Sequence, residues 1–211
     1  MQVFPGDPEV TITVAAEIAA DGFQVAEVHA GTHTGTHLDA PLHTVAGGTS
    51  VDQLDLRRLV GRARIVRLPE VDPGHVFSWV DVETQLSDLE SVAMVLFQTG
   101  WSRHFGTELY LNHPSFDAEI AVCLLDRGIS VVGFDTLNPD PTDLSGADVV
   151  LPFHRALLGA DGVIVENLTN LASIDFANPW VSVLPLPFAG MDGSPVRAVA
   201  LDLPAATDPS R

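Results

Sequence analysis

The sequence predicts an α/β domain, a central mixed β-sheet flanked by few helices. Three observations predict it. Segments with strand character outnumber segments with helical spacing. Two of those strands, SVAMVLFQT (91–99) and ISVVGFDT (129–136), are short and almost wholly apolar, which suits central strands covered on both faces. A helical stretch then feeds directly into the second of them, the alternation expected when helices pack against a sheet.

The elements follow in order. TITVAAEI (11–18), FQVAEVHA (23–30) and ARIVRLP (63–69) mix β-branched residues with alternation. HVFSWVDVETQLSDL (75–89) leaves room for a short helix around 80–90. Ser115 precedes FDAEIAVCLLDRG, where Phe116, Ile120, Cys123 and Leu124 fall at helical spacing and Gly128 supplies a stop. HRALLGA (154–160) is a further short helix, VIVENL (163–168) and WVSVLPLPF (180–188) read as strands, and VRAVALDL (196–203) as the last. No repeat of fixed period and no concentrated Pro/Gly linker occurs, so residues 1–211 are expected to form one domain.

Composition narrows the function classes. With 46% hydrophobic and 18% charged residues the chain is a compact globular protein, long enough for a sizeable core. Ten basic residues against 28 acidic ones, a net charge of −18, would repel a phosphate backbone, so no nucleic-acid partner is expected. The single Cys123 excludes an internal disulfide and is expected to sit as a small buried hydrophobe on its helix. No basic leader and no run of about 18 apolar residues is present, so a cytoplasmic protein without a membrane span is the expectation.

The chemistry concentrates in HAGTHTGTHLDAPLH, residues 29–43. It contains HxGTH twice, in overlapping registers. From His33 the register continues through His37 and Asp39 to His43, all of them donors that zinc and its first-row neighbours accept. From His29 the same spacing requires an acid at 35, which is glycine, so His29 is left as a hydrogen-bonding neighbour or an ordinary strand histidine. Strand residues four apart lie roughly 13 Å from one another. One helical turn would unite His33 and His37 but would not place Asp39 equally well. A looped or partly helical backbone is therefore expected there.

The eleven residues HTGTHLDAPLH (33–43) fit HxGTHxDxPxH, and on this motif the chain resembles the cyclase-like metal-dependent hydrolases, among them bacterial kynurenine formamidases and isatin hydrolases. FPGDP (4–8), TGWSRHFGT (99–107), GISVVGFDTLNPDP (128–141) and DGSPVRAVA (192–200) resemble further landmarks of that family in the same order. The resemblance implies the family's cyclase fold, of swivelling β/β/α type. It implies two divalent ions, zinc or manganese, with His33, His37 and Asp39 on the first, His154 on the second, and Asp39 and Glu166 touching both. Alone, His154 reads as a surface or cap histidine and Glu166 as a strand-end carboxylate; their spacing of twelve is what fits the family. His43 is then left unligated as general acid/base. The implied reaction opens a C–N amide bond of a small aryl substrate, best N-formylkynurenine to kynurenine and formate. A lactam or lactone hydrolase or a cyclase of the same family is the alternative, and a non-catalytic metal or ligand binder the alternative of another class. A homo-oligomer, dimer or tetramer, is also implied. One departure stands out: kynurenine formamidases carry tryptophan where this chain has Phe4, a smaller ring for the wall of a substrate pocket.

Overall fold

The computed structural model describes residues 1–143 and 150–203. The chain first forms a hairpin of β1 (Thr11–Ala16) and β2 (Val25–His29), joined through the single-turn helix α1 (Ile18–Asp21). The pairs Ile12↔Val28 and Val14↔Ala26 share one face, and Thr11↔His29 and Thr13↔Glu27 share the other. Alternation predicts these strands correctly. Their apolar face is uncovered: Ile12, Val14 and Val28 are 69%, 59% and 64% exposed.

The main sheet starts with the very short β3 (His37–Asp39) and the long β4 (Val60–Arg67). After β5 (Val76–Phe77) and α2 (Trp79–Val82) come the apolar β6 (Met94–Gln98), then β7 (Ser115–Phe116) and α3 (Ala118–Leu125). β8 (Val131–Phe134), α4 (Pro152–Leu158), β9 (Val163–Glu166), β10 (Trp180–Ser182), β11 (Gly193–Pro195) and β12 (Val199–Leu201) follow.

Helix limits shift from the expected ones for local reasons. Ser115 and Phe116 lie in β7, paired with β5, and Asp117 caps α3 by accepting from the Glu119 N–H at 2.8 Å. The helix near 80–90 is only Trp79–Val82, capped by Ser78 with Asp81, and runs on as a 3-10 turn over Glu83–Leu86. Pro152 in the first turn lets α4 begin two residues before HRALLGA. Cys123 lies on α3 as expected but is only half-buried.

Among the described residues, eight strands run in the order β11-β3-β9-β8-β6-β4-β10-β12. The central four, β9, β8, β6 and β4, are parallel, and antiparallel strands extend the sheet on both sides. β11 and β12 sit at opposite edges, yet only residues 196–198 separate them. A flat sheet would hold those edges about 33 Å apart. The connecting residues reach at most about 14 Å. The sheet therefore curls almost onto itself.

Period-two alternation gives this curled sheet two apolar faces. Leu38, Ala63, Met94, Leu96, Val131, Val163 and Val165 fill the inside of the curl. Val95, Phe97, Val132, Phe134 and Ile164 point outward and meet Ile120 and Leu124 of α3 and Phe153 and Leu157 of α4. Two of the quoted landmarks also meet: buried Asp135 accepts from the Thr99 N–H, the Thr99 hydroxyl and the Gly100 N–H at 2.9, 2.6 and 2.7 Å. These bonds hold the loop after β6 over the end of the sheet. No helix among the described residues is long and apolar enough to cross a membrane.

Candidate metal centre

On β3, Leu38 points into the curl, so His37 and Asp39 point together to the helix-covered face. Antiparallel pairing sets His37 directly opposite Glu166 on β9, and Glu166 shares the face of Ile164. His33 reaches this face from a loop, as expected. Gly35 takes φ +66°, a left-handed conformation that suits glycine, and Thr36 beyond it is pinned to the Asn167 carbonyl at 2.7 Å. α4 supplies the last side chain: His154, in its first turn, is buried above β9.

These five side chains converge. Asp39 Oδ1 lies 2.7 Å from His33 Nδ1 and 3.2 Å from His37 Nε2, while its Oδ2 lies 3.7 Å from His154 Nε2. Glu166 Oε2 lies 3.3 Å from His37 Nε2, and its Oε1 lies 3.1 Å from His154 Nε2. Each carboxylate thus turns one oxygen toward His37 and the other toward His154. The His37 ring is oriented by its Nδ1–H, which donates to the Gly35 carbonyl at 2.8 Å and leaves Nε2 to face the carboxylates.

The electrostatics of this cluster demand positive charge. Burial drags the His37 imidazole down, but Asp39 and Glu166 outweigh burial and raise it to about 10. Burial likewise opposes charge on His33, yet hydrogen bonds to Asp192 and Asp39 raise it to about 9. His154 is pushed well up by Asp140, Asp39 and Glu166 against the same burial. Burial favours the neutral form of Asp39 and Glu166, but the surrounding imidazoles hold both below the usual carboxylate range.

The donors fit a cation on an independent count. His37 Nε2, Asp39 Oδ2 and Glu166 Oε1 are buried polar atoms with no hydrogen-bond partner; the nearby imidazoles and carboxylates stand close to them without the alignment of hydrogen bonds. Orphaned polar atoms in a core are costly unless something else meets them. Three such atoms gathered in one buried cluster of imidazoles and carboxylates suit a cation as their partner. Among the described residues, three groups of donors lie close enough to share a cation: His33 with His37 and Asp39, Asp39 with His154 and Glu166, and the more exposed His33 with His43 and Asp192.

Two aspartates that the motif reading did not single out complete the surroundings. Asp140 accepts from the N–H groups of Phe153 and His154 at 2.8 and 3.1 Å and meets His154 Nδ1 at 2.6 Å, so it caps α4 and orients its histidine. Asp192, just before β11, meets His33 Nε2 at 2.9 Å and His43 Nδ1 at 3.2 Å. Hydrogen bonds from these two histidines hold its carboxyl below the usual range, ahead of a smaller opposing effect of burial. Both residues lay in quoted landmarks, NPDP and DGSPVR, which were the available signals. His43 itself sits on a 3-10 turn (Pro41–His43), its ring 4.1 Å from that of His33, in the group it forms with His33 and Asp192 and apart from the two buried groups. His29 ends β2 as an exposed strand residue, away from the cluster.

A cavity of ≈ 180 Å³ opens on the cluster. His33, His37, His43, His154 and Glu166 line one side; Phe4, Leu137 and Leu151 give it an apolar side. Phe4 is braced against Trp101, Tyr110 and Leu137. A cavity of about 150 Å³ holds one benzene ring, so this one takes a single substituted aryl ring.

Comparison with known proteins agrees with this picture. Residues 1–141 match the family described as "Putative cyclase". The chain is 36% identical over 208 residues to a kynurenine formamidase of Salinibacter ruber, covering 96% of this chain and 92% of that protein. It superposes on a crystal structure of an isatin hydrolase bound to the product analogue thioisatinate with a TM-score of 0.82, covering 95% and 86% of the two chains at 24% identity, a likeness of fold. A structure described as a potential metal-dependent hydrolase with cyclase activity aligns with a TM-score of 0.70 and 25% identity, over 95% of this chain and 94% of that one. With a family match over two thirds of its residues and a curated relative along nearly its whole length, the chain belongs to the cyclase-like hydrolase family.

Proposed function

We propose that the protein is a metal-dependent arylformamidase that cleaves N-formylkynurenine to kynurenine and formate. One observation carries the reading: Asp39 and Glu166 each straddle two histidine groups, with orphaned buried donor atoms, and Glu166 with His33, His37 and His154 lines an aryl-sized cavity. The likeness to a curated kynurenine formamidase supports the substrate. In this reading His33, His37 and Asp39 hold one divalent cation, His154 holds a second, and Asp39 and Glu166 reach both. Zinc suits these nitrogen and carboxylate donors, and manganese is the alternative occupant. When bound, such a pair of cations polarises a carbonyl oxygen and lowers the pKa of water toward neutrality.

The chain's own residues supply the rest. Phe4 and Leu137 pack against the aryl ring and place the formyl carbon over the carboxylates. Water adds to that carbon, the C–N bond breaks, and the departing nitrogen needs a proton before it leaves as a neutral amine. His43 lines the cavity wall, is not among the five ligands of this reading, and carries that proton from the attacking water to the nitrogen.

The test combines elemental analysis with turnover of formanilides, isatin and aryl lactones, before and after chelation. Formamide hydrolysis that chelator abolishes without unfolding supports the reading; a preference for isatin or lactones reassigns the substrate. His43→Ala should retain its metal while kcat falls about 10²–10⁴-fold. If the metal is lost with the activity, His43 is a ligand and the role given to it is wrong.

We further read the protein as a cytoplasmic homodimer. The one, half-buried cysteine suits a reducing compartment. The hairpin supports the dimer: Ile12, Val14, Ile18, Phe23, Val25 and Val28 are 46–69% exposed on an arm that covers none of its own core. An isolated two-stranded hairpin is marginal in water, and a contiguous apolar patch marks an interaction surface. A second copy of the chain is the occupant this reading assigns.

A further inference from the structure

Asp192 is held by three side chains beside the site, and nothing in the proposed ligand set uses it. Its carbonyl accepts from the Ala40 N–H at 2.8 Å, and the carbonyl of Met191 before it accepts from the Val51 N–H at 2.9 Å. Its carboxylate is bound on both oxygens: Oδ1 accepts from the Thr32 hydroxyl at 3.1 Å, and Oδ2 meets His33 Nε2 at 2.9 Å and His43 Nδ1 at 3.2 Å. On the other side Gly193 packs so closely against His33 that an added Cβ would lie 2.6 Å from its Cε1. These contacts set the orientation of the carboxylate.

That orientation fixes the chemistry of His43. An ionised carboxylate only accepts hydrogen bonds, so Nδ1 of His43 carries its hydrogen and Nε2 is the nitrogen free to exchange a proton. Among the described residues, this is the one hydrogen bond the His43 imidazole makes. The ring is otherwise in contact with the rings of His33 and His154, which do not select a tautomer.

We propose that Asp192 is the positioning residue of His43: it locks the imidazole in its Nδ1–H tautomer and holds Nε2 toward the cavity. The inference rests on the reading of His43 as proton carrier. It is a carboxylate–histidine pair in which the carboxylate orients the base without taking the proton, and losing such an orienting partner costs about 10–100-fold in activity.

The contact of Asp192 with His33 means that an effect on metal binding must be separated from an effect on His43. Asp192→Ala and the nearly isosteric Asp192→Asn are compared with His43→Ala and with the double variants, all at saturating zinc with the zinc content measured. Substrates are formanilides graded in the basicity of the departing amine. The expected result is a kcat lowered about 10–100-fold at little changed KM. The loss should grow with amine basicity, because poorer leaving groups depend more on a delivered proton. No further loss is expected in the His43→Ala background. The ¹⁵N spectrum of His43 should show the fixed Nδ1–H tautomer in the parent protein and its loss in Asp192→Ala. Full recovery with excess zinc would overturn the proposal, because Asp192 would then act through His33. Independent, multiplying losses in the double variants would overturn it as well. A parental rate in His43→Ala sinks the reading of His43 itself, whereas a collapsed His43→Ala beside unimpaired Asp192 variants sinks only this proposal.

Discussion

Raising the pH from 6 to 8 should tighten metal binding steeply, because the metal-free cluster is full of protons. His33 is raised to about 9 and His37 to about 10, so both are imidazolium near neutrality. A cation must displace these protons to reach the nitrogens. At pH 7 displacement weakens apparent affinity by about two decades for His33 and about three for His37, the distance of each pKa from the pH. His154, pushed well up, adds in the same direction. The logarithm of the zinc association constant should therefore rise with a slope of about two to three per pH unit. Isothermal titration in buffers of different ionisation enthalpy counts the same protons as heat. A slope near zero, or binding without proton release, would refute the argument. The stability of the metal-free protein follows with its own sign. These histidines have folded pKa values above their unfolded 6.5, so their contribution is complete below pH 6.5 and lost as the pH rises through 9 to 10. Asp39 and Glu166 are depressed, so theirs is present above the ordinary carboxylate range and lost in acid.

Three further outcomes are expected. Gly193→Ala places its Cβ 2.6 Å from His33 Cε1, so His33 must move; zinc affinity should fall about tenfold or more while circular dichroism is preserved. Unchanged affinity would show that His33 tolerates displacement. Thr99→Val removes the 2.6 Å hydroxyl bond to buried Asp135 and should cost about 1.5–3 kcal/mol in urea unfolding, with a loss under about 0.5 kcal/mol counting against the account of that loop. Ile12→Asp combined with Val28→Asp should convert a dimer to a monomer in sedimentation, and a parent protein that already sediments as a monomer removes the dimer from consideration.

The parts of the site that were legible are those written locally. His33, His37, Asp39 and His43 lie within eleven residues, and the need for a bend between His33 and His37 followed from the reach of a strand. The strand identity of His37–Asp39 was not legible, because three residues are too few to show alternation. Asp140 and Asp192 were invisible as partners for a different reason. The second lies 149 residues from the histidine it holds, and only the curl of the sheet brings them together. Alternation read the hairpin strands correctly but left their burial open, since a period of two reports that one face is apolar and not what covers it. Helix starts moved because capping residues compete locally: Asp117 and Pro152 set the limits that Ser115 and His154 had been expected to set.

The near-closed sheet has a consequence for how the chain comes to be folded. A growing polypeptide presents His33, His37 and Asp39 long before β9 and β11 exist, and His33 is separated from Asp192 by 159 residues. The strand that carries His37 and Asp39 can be sandwiched only when both late neighbours arrive. Closing so long a segment is entropically slow and yields its contacts only at the end. A cation bound across β3, β9 and α4 would then act as a clasp on that last closure. It favours the assembled chain over the open one by mass action, so metal supply would set the yield of folded protein as well as its turnover.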